Sequence, residues 1–170
     1  METLRPMRTA ACVSTGENDT VDLGRRLGAL AAAGDVFLLS GELGAGKTCF
    51  TRGIAAGLGV AEYAFSPSFV LVREYRGRLD LFHMDFYRLE QPGEIAELGL
   101  DEYLYGNGVC AIEWAERATG LLPAEHLLIE LAYTPGAQEN RAVRLTAEGP
   151  RYEALLQELL DTAGDVASWN

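Results

Sequence analysis

Eight residues, 41–48 (GELGAGKT), limit the folds open to this chain more than any other stretch. They fit G-x-x-x-x-G-K-[ST], with Gly41, Gly46, Lys47 and Thr48 at the fixed positions and Gly44 as a further glycine. Upstream, 35–40 (DVFLLS) is a short apolar run with β-formers, the pattern of a buried strand. Downstream, 47–59 (KTCFTRGIAAGLG) reads as a helix closed by Gly59. A strand, a glycine-rich turn and a helix in that order aim backbone N–H groups and the positive end of a helix at one point. The ligand expected there is a chain of phosphates, wrapped by Leu43, Gly44, Ala45 and Gly46.

Lys47 sharpens the reading, because it is the only lysine in the chain and the other thirteen basic residues are arginines. Arginine is a broad planar fork, lysine a compact ammonium on a flexible stem. A narrow loop around β- and γ-phosphates has room for the ammonium as a point charge. Solvent access for this side chain is expected wherever no phosphate covers it. Thr48 supplies the hydroxyl that such loops offer to Mg²⁺.

The rest of the chain fits an α/β domain: a P-loop NTPase-type fold with a mainly parallel central sheet flanked by helices, an added hairpin and later strands. RTAACVST is a short first strand, and DTVDLGRRLGALAAAG a helix with an Asp/Thr start and a Gly stop. SFVLVREYRGRLDLFHMDFY reads as two strands turning near Arg76, Gly77 and Arg78. GEIAELGLDEYL is helical with a glycine interruption, VCAIEW a second buried strand, HLLIELAY and RAVRLTA later strands, and RYEALLQELLDTAG a closing amphipathic helix. All 170 residues are expected in one domain, with mobile ends at 1–7 and 164–170.

Such a site needs a second carboxylate near the metal, usually at the end of a neighbouring buried strand. VCAIE ends in Glu113 after four apolar residues, as a parallel neighbour of the loop strand should. LDLFHMD ends in Asp85 but alternates, which suggests a half-exposed hairpin arm. Glu113 is therefore the better metal carboxylate, and Asp85 is left to orient an attacking water or meet the metal through water. Either could instead be a plain surface carboxylate at a strand end. His83 shares a strand face with Asp85 and reads as a structural hydrogen-bonding residue; Trp114 and Tyr87 read as packing groups. Arg88 could pair with Glu90 or neutralise a phosphate.

Composition removes several classes. A net charge of −11 makes the chain a poor non-specific binder of phosphate backbones, so any work on nucleic acid needs a partner to grip it. Cys12, Cys49 and Cys110 are widely spaced, with no CxxC, which suits free thiols in a reducing compartment. No stretch resembles a signal peptide or a membrane span, so a cytoplasmic location is expected. A GTPase is disfavoured because an NKxD motif needs a second lysine. An ABC-type ATPase lacks its LSGGQ-like signature, since LSGELG belongs to the loop itself. A small-molecule kinase using the same loop is the main alternative, although no compact arginine cluster follows GAGKT. A nucleotide-binding scaffold without turnover remains a further class.

Taken together, LSGELGAGKT, FSPSFVLVREY, FHMDFYRLE, ELGLDEYL and AIEWAE resemble, in order, the bacterial TsaE family (formerly YjeE), over about Thr20 to Tyr133. The resemblance implies a small P-loop ATPase, with ATP as substrate, needed to make threonylcarbamoyladenosine beside the anticodon of tRNAs. It implies that Thr48 and Glu113 bind Mg²⁺ and that Asp85 of HxDxYR serves ATP turnover alongside Lys47. It implies a switch near the γ-phosphate at SPSF, with Ser66 and with Ser68 where the family has threonine. Glu116 of EWAE and Glu17 of the approach TGENDTVDLG are implied on the nucleotide side. The implied partners are the TsaD and TsaB subunits of the modification complex, with tRNA met only indirectly and no membrane involved.

Overall fold

The computed structural model describes residues 8–61, 72–162 and Trp169. Seven strands form one sheet in the order β1-β7-β6-β2-β5-β4-β3. They are β1 (Arg8–Ser14), β2 (Val36–Ser40), β3 (Val72–Tyr75), β4 (Leu81–Asp85), β5 (Val109–Glu113), β6 (His126–Thr134) and β7 (Ala137–Glu148). The four central strands, β6, β2, β5 and β4, run parallel, while β7 and β1 on one side and β3 on the other add antiparallel pairs. The expected mainly parallel centre with a hairpin and later strands is the architecture observed.

The apolar run of β2 explains its central place. Phe37 and Leu39 pack on one face, Val36 and Leu38 on the other, and all four are buried. On the first face lie α1 (Glu17–Leu30), α2 (Lys47–Gly57) and α5 (Pro150–Thr162), which contribute Leu23, Leu27, Phe50, Ile54 and Leu155 to the core. On the second face lie α3 (Pro92–Ala96), α4 (Leu100–Leu104) and a 3-10 turn at Ala115–Ala118, whose Ile95, Leu100 and Ala118 meet Leu38 and Ile112. Gly99, at φ 66°, separates α3 from α4, which is the expected glycine interruption.

Two expectations need correction. β4 is the antiparallel hairpin partner of β3, but it also pairs in parallel with β5, and Leu81, His83, Met84 and Asp85 are all buried. Alternation misled because His83 and Asp85 are polar residues inside the protein. The first helix ends at Leu30, before the expected glycine stop. Its final carbonyls are taken by arginines from distant elements: Arg78 Nη2 donates to the Gly28 and Ala31 oxygens, and Arg151 Nη2 to that of Leu30. Arg151 also makes a bidentate pair with buried Asp35, at 3.0 and 2.7 Å, tying α5 to the start of β2.

α1 and α2 cross with almost no side chain between them. A Cβ on Gly24 would stand 2.2 Å from the Phe50 oxygen, and one on Gly28 2.3 Å from that of Ile54. From the other side, a Cβ on Gly53 would meet the Val21 oxygen at 2.1 Å, and one on Gly57 the Arg25 oxygen at 2.1 Å. Two Gly-x-x-x-Gly rows thus bring backbone against backbone. Gly53→Ala is expected to destabilise the fold by about 2 kcal/mol or more through overpacking against backbone that cannot swing aside. Chemical denaturation of the variant beside the parent measures this, and equal midpoints would contradict the seam.

Candidate nucleotide site

The loop between β2 and α2 takes the conformation its glycines permit, with Gly41, Gly44 and Gly46 at φ 150°, 80° and 108°. Together with the carboxyl ends of the neighbouring strands it bounds a cavity of about 310 Å³. Leu43, Gly44, Gly46, Lys47, Thr48, Cys49, Asp85, Tyr87, Arg88, Glu113 and Trp114 line it. β2 lies directly beside β5, as the buried-strand pattern of VCAIE required, and Leu39, Glu113 and Asp85 stand in register across β2, β5 and β4.

Glu113 is buried and doubly held. Its Oε1 accepts the Thr48 hydroxyl at 3.0 Å and its Oε2 lies 2.5 Å from His83 Nε2. His83 is itself fully buried, and its Nδ1 is without a hydrogen-bond partner. That is the structural role expected of it, aimed at the carboxylate of the site. Asp85 is buried beside Glu113, and its Oδ1 accepts the Tyr87 N–H at 2.9 Å.

Lys47 departs from expectation. It is 4% exposed, so the expected solvent access is almost wholly lost, although the residue still borders the cavity. Nζ donates to the carbonyl oxygens of Gly41, at 2.5 Å, and Glu42, at 2.9 Å, and lies 4.2 Å from the centre of the Trp114 ring. Burial pushes the ammonium below the usual lysine value, while Glu113, Glu116 and Asp85 pull the other way. Trp114 is brought there by backbone strain. At φ 57° it is the only non-glycine residue with positive φ among those described. Its ring also packs on Tyr87, 4.9 Å between centroids. Trp114, expected as a packing group, packs on the lysine, and no side-chain pattern announces a positive φ.

The other expected residues fall around this cavity. Gly41, half-buried, and Ala45, fully buried, form the underside of the loop, with Gly41 against Leu131. Glu17, at the start of α1, meets the first turns of α2 through Arg52, at 3.3 Å, and Cys49, at 3.6 Å. Glu116 lines a neighbouring cavity of about 430 Å³ with Ser40, His126 and Glu148. Ser66 and Ser68 lie outside the described residues. Tyr133 and Arg141, which no motif flagged, reach the outer side of the loop.

Comparison with known proteins places this geometry. Residues 14–143 match the family model for threonylcarbamoyl adenosine biosynthesis protein TsaE. A TsaE of Bacillus subtilis (strain 168) is 44% identical over 142 residues, covering 83% of this chain and 87% of that protein. A TsaE of Treponema pallidum (strain Nichols) is 47% identical over 120 residues, 71% of this chain and 89% of its own length. The crystal structure of Bacillus subtilis YdiB superposes with a TM-score of 0.81 at 37% identity, covering 92% of this chain and 97% of that one. The chain belongs to the TsaE family. The family resemblance read from the motifs therefore holds, and so does the P-loop NTPase-type fold. Among the described residues, no helix is long and apolar enough to cross a membrane.

The three thiols of this TsaE family member should differ sharply in reactivity. Burial pushes Cys110 up to about 12, and burial with the charge of Asp19 pushes Cys12 up to about 11. Cys49 is also raised, by burial and by Glu17, but it is only partly buried and faces the cavity. Alkylation of the native protein is expected at Cys49 first, with Cys12 and Cys110 modified only on unfolding. Peptide mapping after timed iodoacetamide exposure checks this, and early labelling of Cys110 would contradict the packing.

Proposed function

We propose that this protein binds and hydrolyses Mg-ATP, and that this turnover supports threonylcarbamoyladenosine modification of tRNA beside the anticodon, through the TsaD and TsaB subunits, in the cytoplasm. One observation carries the reading: Lys47, Thr48, Glu113 and Asp85 converge on a single cavity at the helix end of a glycine-rich loop. Membership of a family named for threonylcarbamoyladenosine synthesis supports the tRNA role. The net charge of −11 supports the partner-dependent part, since a chain of that charge repels a polyanion.

The donor set suits a hard cation. A hydroxyl oxygen and a carboxylate oxygen face each other 3.0 Å apart, and a second carboxylate stands one strand away. Thr48 and Glu113 would hold Mg²⁺. A bound Mg²⁺ neutralises charge on the β- and γ-phosphate oxygens. The remaining work belongs to the chain. Loop N–H groups and the α2 terminus bind the phosphates, Lys47 supplies a point charge, and Asp85 orients the attacking water. Glu17 and Glu116 border the nucleotide, and Ser66 and Ser68 act as the γ-phosphate switch.

Three variants test this. Lys47→Arg should lose Mg-ATP affinity by about ten- to a hundredfold, because one charge-assisted contact is lost and the fork does not fit the slot. Near-normal phosphate release by Lys47→Arg would sink the account. Glu113→Gln should weaken the Mg²⁺ dependence of ATP binding, whereas Asp85→Asn should bind Mg-ATP almost normally yet hydrolyse it poorly. Mg²⁺ titrations of ATP affinity with single-turnover hydrolysis separate the two, and the opposite pattern reverses the assignment. The protein alone should hydrolyse slowly and show little tRNA binding in a gel shift at physiological salt.

A further inference from the structure

The outer side of the loop is held by two side chains that no motif contains. Tyr133 and Arg141 face each other in register on β6 and β7. Tyr133 continues the row Leu127, Ile129, Leu131 on the sheet face that α1 and α2 cover, and it emerges where the core ends beneath the loop. Its hydroxyl donates to the Leu43 oxygen at 3.1 Å. Arg141 Nε donates to the Ala45 oxygen at 3.1 Å, while its Nη1 is fixed by the oxygens of Gln138, at 2.7 Å, and Asn140, at 2.9 Å. The guanidinium also lies 4.3 Å over the Tyr133 ring, so each side chain orients the other. The approach is close: a Cβ on Gly44 would come within 2.6 Å of the tyrosine oxygen.

The consequence follows from the planarity of the peptide. In a trans peptide the carbonyl and the next N–H point in opposite directions, and no described peptide bond is cis. Drawing the Leu43 oxygen outward turns the Gly44 N–H inward. Drawing the Ala45 oxygen outward does the same for Gly46. Both glycines line the cavity. Glycine has the softest backbone of any residue, so without an anchor these two planes are the ones most free to rotate.

We propose that Tyr133 and Arg141 are positioning residues that set the Gly44 and Gly46 N–H groups toward the phosphates of the bound nucleotide. The proposal rests on the nucleotide-binding reading given above. It assigns these two residues no contact with the ligand; they act through the backbone of the loop. It also gives the β6–β7 hairpin a part in binding although that hairpin contributes no side chain to the cavity.

The test uses the full chain with Tyr133→Phe, Arg141→Ala and, as a control for charge, Arg144→Ala. Arg144 is exposed on the opposite face of β7. Tyr133→Phe removes one hydroxyl, changes no charge and leaves the ring in place. Calorimetric titration with Mg-ADP and Mg-ATP is expected to show affinity about three- to tenfold weaker for Tyr133→Phe and for Arg141→Ala, the scale of one hydrogen bond, and unchanged for Arg144→Ala. The amide resonance of Gly44 should move in Tyr133→Phe and that of Gly46 in Arg141→Ala, with thermal midpoints close to the parent. Parent-like affinities and glycine resonances in both variants would overturn the proposal. So would equal weakening by Arg141→Ala and Arg144→Ala with none by Tyr133→Phe, which would make the effect one of bulk charge. A parent protein that binds neither nucleotide would instead overturn the nucleotide reading itself.

Discussion

Leu39, Glu113 and Asp85 stand side by side because β2, β5 and β4 are parallel and in register. Everything chemical in the molecule depends on that alignment. Parallel strands send their carboxyl ends to one edge of the sheet, where loops gather and ligands bind. Here the edge receives the glycine loop from β2, a buried glutamate from β5 and a buried aspartate from β4. A shift of one residue in β5 would turn Glu113 to the other face, among the apolar residues beneath α3 and α4. The polar end of β5 favours the observed register, because only there does Glu113 meet Thr48 and His83.

Burying carboxylates at that edge has to be offset locally. Glu113 has two hydrogen-bonding partners, Thr48 and His83. The histidine comes from β4, so the strand carrying the second carboxylate also steadies the first. The lysine that follows the loop lies near the same carboxylates but donates its hydrogen bonds to the oxygens of Gly41 and Glu42. The lysine therefore stands near the carboxylates while its own donors are committed to the loop backbone. The Gly-x-x-x-Gly seam between α1 and α2 serves the same end from behind. It holds the helix that opens the site by backbone contact, with no long side chains free to repack.

Much of this was legible in the sequence. The loop, its flanking strand and helix, and the apolar run before Glu113 each carry a local pattern, and the pattern matches the observed neighbours. What stayed hidden depends on contacts distant in sequence. β4 alternates because His83 and Asp85 are polar residues spent inside the protein, so its buried, parallel pairing with β5 could not be read from hydropathy. The early end of α1 depends on Arg78 and Arg151, about 50 and 121 positions away from the carbonyls they cap. The burial of Lys47 depends on Trp114, whose ring reaches it through a positive φ that residue type does not reveal.

The single lysine now has a structural reason. Three of the arginines span several acceptors at once. Arg151 grips both oxygens of Asp35, Arg78 joins the oxygens of Gly28 and Ala31, and Arg141 reaches those of Ala45, Gln138 and Asn140. Each of these sites offers more than one acceptor, which suits a side chain with five donors. The slot beside the loop offers two carbonyl oxygens and the face of a tryptophan. Three donors on a tetrahedral ammonium can use it; a guanidinium there would leave N–H groups buried against an apolar ring. Composition follows geometry here. Arg151, Arg78 and Arg141 stand where acceptors are spread, and Lys47 stands where two carbonyl oxygens converge on a point.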